Sequence, residues 1–152
     1  MALIEVIADD MKAALKSGQK LRLETLRMIR AALLEKQVEK RPSGGITADD
    51  EIAVLISASK KRREAIESYR TAGRVDLATQ EELELNIIQA YMPKQLSASD
   101  IEDIVRLIIS KTGAASAKDF GKVMPAAMKE LKGRADGKIV QETVRRLLEE
   151  QE

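Results

Sequence analysis

Apolar residues recur at helical rather than strand spacing along almost the whole of this 152-residue chain. Ile4, Ile7, Met11, Ala14 and Leu15 fall on one face of a first helix predicted over Leu3–Lys16, which Ser17–Gln19 interrupt. A second helix follows from Lys20 to about Lys40, with Leu26, Ile29 and Leu33 as its main stripe and Met28 and Leu34 widening it. An apolar arc that broad predicts contact on two sides. "RPSGGI" then reads as a loop, because Pro42 stops a helix and Gly44 and Gly45 permit unusual dihedrals.

Thr47 followed by Asp50 has the spacing of a capping box and starts a third helix, which Gly73 ends after Ala72. Ile52, Leu55, Ser59, Arg62, Ile66 and Tyr69 follow a heptad-like spacing along it, although two of the six are polar. This helix is expected to form a hairpin with the second. Asp76 is the expected cap of a fourth helix over Leu77–Tyr91, with Leu83, Ile87, Ala90 and Tyr91 inward. Pro93 forces Met92 out of helical geometry, so "YMPKQLSAS" marks the expected domain boundary. Beyond it three shorter helices are predicted. One opens at Ser97 and Asp100 and ends at Gly113, the next opens at Ser116 and Asp119, and the last is capped by Asp136. Pro125 is awkward inside the middle one and predicts a kink or a restart. No strand pattern is present. The predicted fold is all-α, an N-terminal long-helix hairpin or bundle over residues 1–92 followed by a small three-helix module over residues 97–152.

Composition supports helix packing, since one Phe, two Tyr and no Trp leave Leu, Ile, Val, Ala and Met to build the core. It also narrows the chemistry. With no Cys and no His, disulfides, thiolate nucleophiles, the commonest general base and the commonest zinc ligand are all missing. No catalytic residue, metal ligand or cofactor is therefore assigned. The N-terminus meets Glu5 too early for a signal peptide, and no apolar run approaches ~18 residues. A cytoplasmic location without membrane contact is expected.

Three local runs invite chemical readings. "KGRADGK" resembles part of a phosphate loop, but Gly133 and Gly137 are one residue too close, Lys138 is followed by Ile139 rather than a hydroxyl, and no strand precedes it. Ser57 and Lys60 have a Ser-x-x-Lys spacing, without a visible oxyanion hole. "KKRR" (60–63) reads as a solvated helix face, and the acidic runs "DDE" (49–51) and "EELE" (81–84) as first-turn residues favoured by the helix dipole.

Charge distribution says more than net charge, which is only +1. Nine basic residues against four acidic ones between Lys111 and Arg146 give a local +5, while acids outnumber bases twelve to eight over Ile46–Ser110. A second basic run, Lys12–Arg41, has nine bases against three acids. The C-terminal patch suits salt-dependent contacts to phosphates, and the near absence of aromatics argues against stacking on single-stranded bases. Lys122, Lys129, Lys132, Arg134 and Lys138 are the candidate nucleic-acid contacts. The competing reading is that acidic and basic parts pack on each other within the protein.

"LRLETLRMIRAAL", "ESYRTAGRVDLA", "ELNIIQAYMPKQLS" and "DFGKVMPAAMKELKGRADGKIVQETVRRLL" together resemble the GatB/YqeY family, over almost the whole chain. Residues from about Ser97 onward resemble the tail domain of the B subunit of glutamine-dependent tRNA amidotransferase. The resemblance implies a two-part helical fold and a link to amidation of misacylated tRNA. It makes tRNA a candidate partner, with amidotransferase or aminoacyl-tRNA synthetase components as alternatives. Carbon–nitrogen ligase activity with glutamine as donor comes with the family association, but the amidase and ATP-binding parts of such an enzyme have no counterpart here. A helical protein-interaction module without RNA contact is the alternative function. Pro125 departs from the family pattern, where a small or helix-favouring residue is expected.

Overall fold

The computed structural model describes residues 1–151 and is built of helices, with no strand among the described residues. The helices are α1 (Leu3–Lys16), α2 (Lys20–Lys40), α3 (Ala48–Thr71), α4 (Val75–Gln89), α5 (Ala98–Thr112), α6 (Phe120–Leu131) and α7 (Gly137–Glu150). Short 3₁₀ turns occupy Arg41–Ser43 and Ala117–Asp119. The chain divides into two compact units, Met1–Met92 and Pro93–Glu152. Glu152, which the sequence reading places at the end of the second module, lies outside the described residues.

The starts of α3, α5 and α7 follow local polar chemistry. At α3 the Asp50 amide donates to the Thr47 hydroxyl at 3.2 Å, and the Asp50 carboxylate accepts from the Thr47 amide at 2.9 Å. Two orphan donors are satisfied reciprocally. Ser97 accepts from the Asp100 amide at 3.1 Å, and Asp136 accepts from the Lys138 amide, also at 3.1 Å. Ser116 and Asp119 cap the 3₁₀ turn rather than α6 itself, which begins at Phe120. Gly113 closes α5 in the left-handed region, with φ of 69°. α6 runs through Pro125. The Gly121 carbonyl that Pro125 leaves without its regular donor belongs to an exposed residue, so water can satisfy it.

In the first unit Ile7, Leu26, Ile29, Leu33, Leu55, Ala58 and Ile88 form one buried cluster. α2 packs against α1, α3 and α4, and α3 has α4 as its more extensive neighbour besides α2. The wide apolar arc of α2 is not fully covered, because Met28, Leu34 and Val38 remain exposed. Leu15 of α1, expected inward, is 66% exposed.

α4 departs furthest from expectation. It begins at Val75, so Asp76 lies in its first turn instead of capping it, and pairs with Arg74 at 3.2 Å. Of its expected inner face, Ile87 and Tyr91 pack against the core, whereas Leu83 is 49% exposed and Ala90 faces out, and Ala78 and Ile88 are the buried positions. The acidic run 81–84 is consequently mid-helix. Glu82 meets Arg70, and Glu84 lies 3.8 Å from Arg62. Arg62, assigned to a solvated face as part of "KKRR", is only 6% exposed. Glu84 thus faces Arg62 and is largely covered, while Leu83 points to solvent.

The second unit packs α5, α6 and α7 mutually. Ile101, Val105 and Ile109 of α5, Val123, Ala127 and Leu131 of α6, and Val140, Val144 and Leu147 of α7 fill its core. The steps within these sets are four residues, or three between Val144 and Leu147, the apolar stripe of an amphipathic helix.

Candidate nucleic-acid interface

The core-facing stripe of α6 leaves the opposite side of that helix to solvent, and two of the five candidate cations occupy it. Lys122 and Lys129 are exposed and seven residues apart, so they share a face about 10 Å apart along the axis. Lys132, also exposed, is the residue that ends α6. Arg134 is half-buried in the turn, and Lys138 is exposed in the first turn of α7. Four of the five thus belong to the end of α6, the α6–α7 turn and the start of α7, with Lys122 two helical turns earlier.

The turn is held from several directions. Gly133 adopts φ of 79°, which favours glycine. The Arg134 and Ala135 amides both donate to the Leu131 carbonyl, at 2.9 and 3.1 Å. The Leu96 amide donates to the Arg134 carbonyl at 2.9 Å, and the Gln95 side-chain amide donates to the Gly133 carbonyl at 2.7 Å. The Arg134 and Ala135 amides, turned to Leu131, are thus not offered to a phosphate. Asp136 places a carboxylate at the N-terminus of α7, the position an anion would take. Phosphate contact at this turn would therefore fall to side-chain cations.

Parts of the basic patch are already engaged within the unit. Arg146 pairs with Glu102 and Glu150, both at 3.1 Å, and Arg106 with Glu102 at 2.7 Å. Those arginines hold the Glu102 carboxyl below the ordinary glutamate range. Arg145 stands 5.2 Å from the centre of the Phe120 ring. Lys122 lies 3.8 Å from Asp119. Hydrogen bonds from the Ala115 and Ser116 amides lower the Asp119 carboxyl, with a smaller contribution from Lys122.

The segment before α5 has its own anchoring. In the first unit Tyr91 donates to Asp10 at 2.5 Å and accepts from Arg22 at 3.2 Å, and the Ser59 hydroxyl donates to the Met92 sulfur at 3.3 Å. Burial first, and then the Asp10 carboxylate, push the Tyr91 hydroxyl up to about 12. In the second unit Gln95 and Leu96 fasten to the α6–α7 turn, and Ser97 caps α5. Within "YMPKQLS", Tyr91 and Met92 are therefore tied to the first unit and Gln95, Leu96 and Ser97 to the second. The sequence reading used it as a boundary and did not assign these bonds, because their partners are distant in the chain.

No group of acidic residues among the described residues is arranged to hold a metal ion. No helix in the described chain is long and apolar enough to cross a membrane.

The model of the YqeY-like protein family matches residues 4–148. The chain belongs to the YqeY-like family. Among curated proteins it is 33% identical to Altered inheritance of mitochondria protein 41, mitochondrial, of Pyrenophora tritici-repentis, over 83% of this chain and 69% of that protein. It is 34% identical to an uncharacterised protein of Schizosaccharomyces pombe, over 60% of this chain and 73% of that protein. A further Altered inheritance of mitochondria protein 41, from Eremothecium gossypii, is 31% identical over 57% of this chain and 46% of its own length. The mitochondrial names of two of these relatives overturn the expectation of a cytoplasmic location. That expectation rested on the early Glu5 and on the lack of a long apolar run, whereas mitochondrial targeting peptides are amphipathic and arginine-rich.

Proposed function

We propose that this YqeY-like chain is an accessory module that binds tRNA through phosphate contacts, with no catalysis of its own. Lys122 and Lys129 on the outer face of α6, Lys132 and Arg134 at its end and Lys138 at the start of α7 form the contact set. The observation that carries this reading is the fixed turn between α6 and α7, which presents cations from a backbone held by Gln95, Leu96 and Leu131. A rigid mounting lets cations meet a folded backbone without the cost of ordering a loop. The resemblance of this unit to an amidotransferase tail domain makes tRNA the RNA to test, and amidotransferase or synthetase components the natural assemblies around it. The ligase activity associated with that family would reside in the larger enzyme.

Equilibrium binding of deacylated and misacylated tRNA across a salt series tests the proposal, with organellar tRNA included because two relatives are named as mitochondrial proteins. The expected result is preference for tRNA over random RNA of equal length, with log affinity falling linearly in log salt. Equal binding of both, or insensitivity to salt, refutes it.

A second reading, a protein-interaction module, rests on the exposure of Met28, Leu34 and Val38 along α2. A stable protein partner retained after RNase treatment and lost on substituting those three residues favours it over the first.

A further inference from the structure

Met28 of α2 is 55% exposed and lines a cleft of about 340 Å³ between α2 and α3. Of the six methionines only Met1 is more open, and Met11, Met92, Met124 and Met128 are half-buried. The Met28 sulfur is nevertheless engaged, accepting from Arg62 Nη2 of α3 at 3.6 Å. Arg62 is 6% exposed and fixed by its other contacts. Its Nε faces the Glu84 carboxylate at 3.8 Å in a buried ion pair, and its Nη1 donates to the Ala58 carbonyl at 3.4 Å. A charged donor thus meets a weak acceptor, since thioether sulfur accepts hydrogen bonds poorly. That acceptor belongs to a side chain open to solvent.

Exposure decides which methionines oxidise, and oxidation turns a soft thioether into a polar sulfoxide. The change ordinarily disrupts packing, because the new oxygen lands among apolar groups. At Met28 the oxygen has a donor waiting. With the sulfur left where it is, an oxygen bound on its Arg62 side reaches about 2.9 Å from Nη2, an ordinary hydrogen-bond length. A bond from a guanidinium to that oxygen is charge-assisted and stronger than the contact to sulfur that it replaces.

We propose that Met28 is a site of peroxide oxidation whose sulfoxide oxygen is held by Arg62, so that oxidation reinforces the α2–α3 contact instead of loosening it. A sulfur lone pair attacks one peroxide oxygen, the S–O bond forms and the O–O bond breaks. The sulfur gives up two electrons, and the other oxygen leaves as water after taking the proton of the first. Glu84 stays beside Nε, so the buried ion pair is kept. The site lies in the first unit and is independent of the lysines of α6.

Limited treatment of the full chain with hydrogen peroxide tests this, followed by peptide mass spectrometry, thermal melts and NMR of the arginine side chains. Met28 should convert at least about threefold faster than Met11, Met92, Met124 and Met128. The Arg62 guanidinium signals should shift in step with that conversion, and the thermal midpoint should not fall. Met28→Leu should abolish the peroxide-dependent Arg62 shift. Met28→Gln, which carries an uncharged acceptor oxygen at similar reach, should reproduce the shift without peroxide. Both substitutions are at an exposed position, so the fold is retained, and Arg62 with its ion pair is left intact. Conversion of Met28 no faster than that of the half-buried methionines overturns the proposal. So does a midpoint lowered by Met28 oxidation, or an Arg62 signal that stays still or moves equally in Met28→Leu.

Discussion

Replacing Tyr91 by Phe should weaken the first unit at neutral pH and remove one component of its alkaline unfolding. The hydroxyl joins Asp10 of α1 to Arg22 of α2 at the end of α4. A hydrogen bond to a charged group contributes about 1.5–3 kcal/mol. Asp10 and Arg22 remain 3.8 Å apart and about a third exposed, so they partly compensate the loss. The expected cost is about 1–2 kcal/mol. The alkaline effect has a definite sign. The hydroxyl is raised from 10.0 to about 12 in the folded state, so the folded chain keeps a proton that the unfolded chain releases. This contribution is complete below about pH 10 and is lost as pH rises toward 12. Full linkage over that window is about 3 kcal/mol, and solvent access to a partly exposed hydroxyl reduces it to about 1–2 kcal/mol. The chain has two tyrosines and no tryptophan, so tyrosinate absorbance of the wild type minus that of Tyr91→Phe reports Tyr91 alone. Urea unfolding of both proteins at pH 7 and pH 11 supplies the free energies. Equal stability at both pH values, or a difference titration near the ordinary 10.0, refutes the reasoning.

Leu26→Ala should cost about 2–5 kcal/mol because the side chain is fully buried, whereas Leu34→Ala on the exposed side of the same helix should stay within about 0.5 kcal/mol. Urea denaturation distinguishes the two, and similar losses would contradict the assigned faces of α2. Gln95→Ala removes a side-chain donor to the carbonyl of the buried Gly133 and should cost the second unit about 1–3 kcal/mol. Hydrogen exchange should show the largest loss of protection near the α6–α7 turn, and unchanged protection there would count against the role given to Gln95. Glu102 is lowered by Arg106 and Arg146, so its contribution is present above the ordinary glutamate pKa of 4.5 and is lost as pH falls through its folded value. Glu102→Gln should flatten the acid limb of the stability profile, and an unchanged limb would show that these pairs are not coupled to folding.

The helices were largely legible because their information is local. Leu3–Lys16 follows from one stripe and one break, and the starts at Thr47, Ser97 and Asp136 from polar residues bonding to amides two or three positions onward. α4 was misread for the opposite reason. Glu84 faces Arg62, which lies on another helix, so nothing local in the sequence takes Glu84 off the solvent side or Leu83 off the core side. Ser59 and Arg62 nevertheless sat at heptad-like positions, and polar residues on such a seam were the available signal that something other than plain packing occurs there. In the second unit the sequence marked the α6–α7 turn through Gly133 and Asp136. It held no sign that Gln95 and Leu96 bind that turn, or that Asp136 places its own carboxylate where a phosphate would approach α7.

The claim that the α6–α7 lysines contact RNA phosphates is tested most directly by the salt dependence of tRNA binding in a Lys129→Gln, Lys132→Gln, Lys138→Gln variant. All three side chains are exposed, so helical content and thermal midpoint should match the wild type. If each contacts a phosphate, affinity at moderate salt falls and the slope of log affinity against log salt shrinks by about 2–3. A variant that keeps both the affinity and the slope of the wild type contradicts the account.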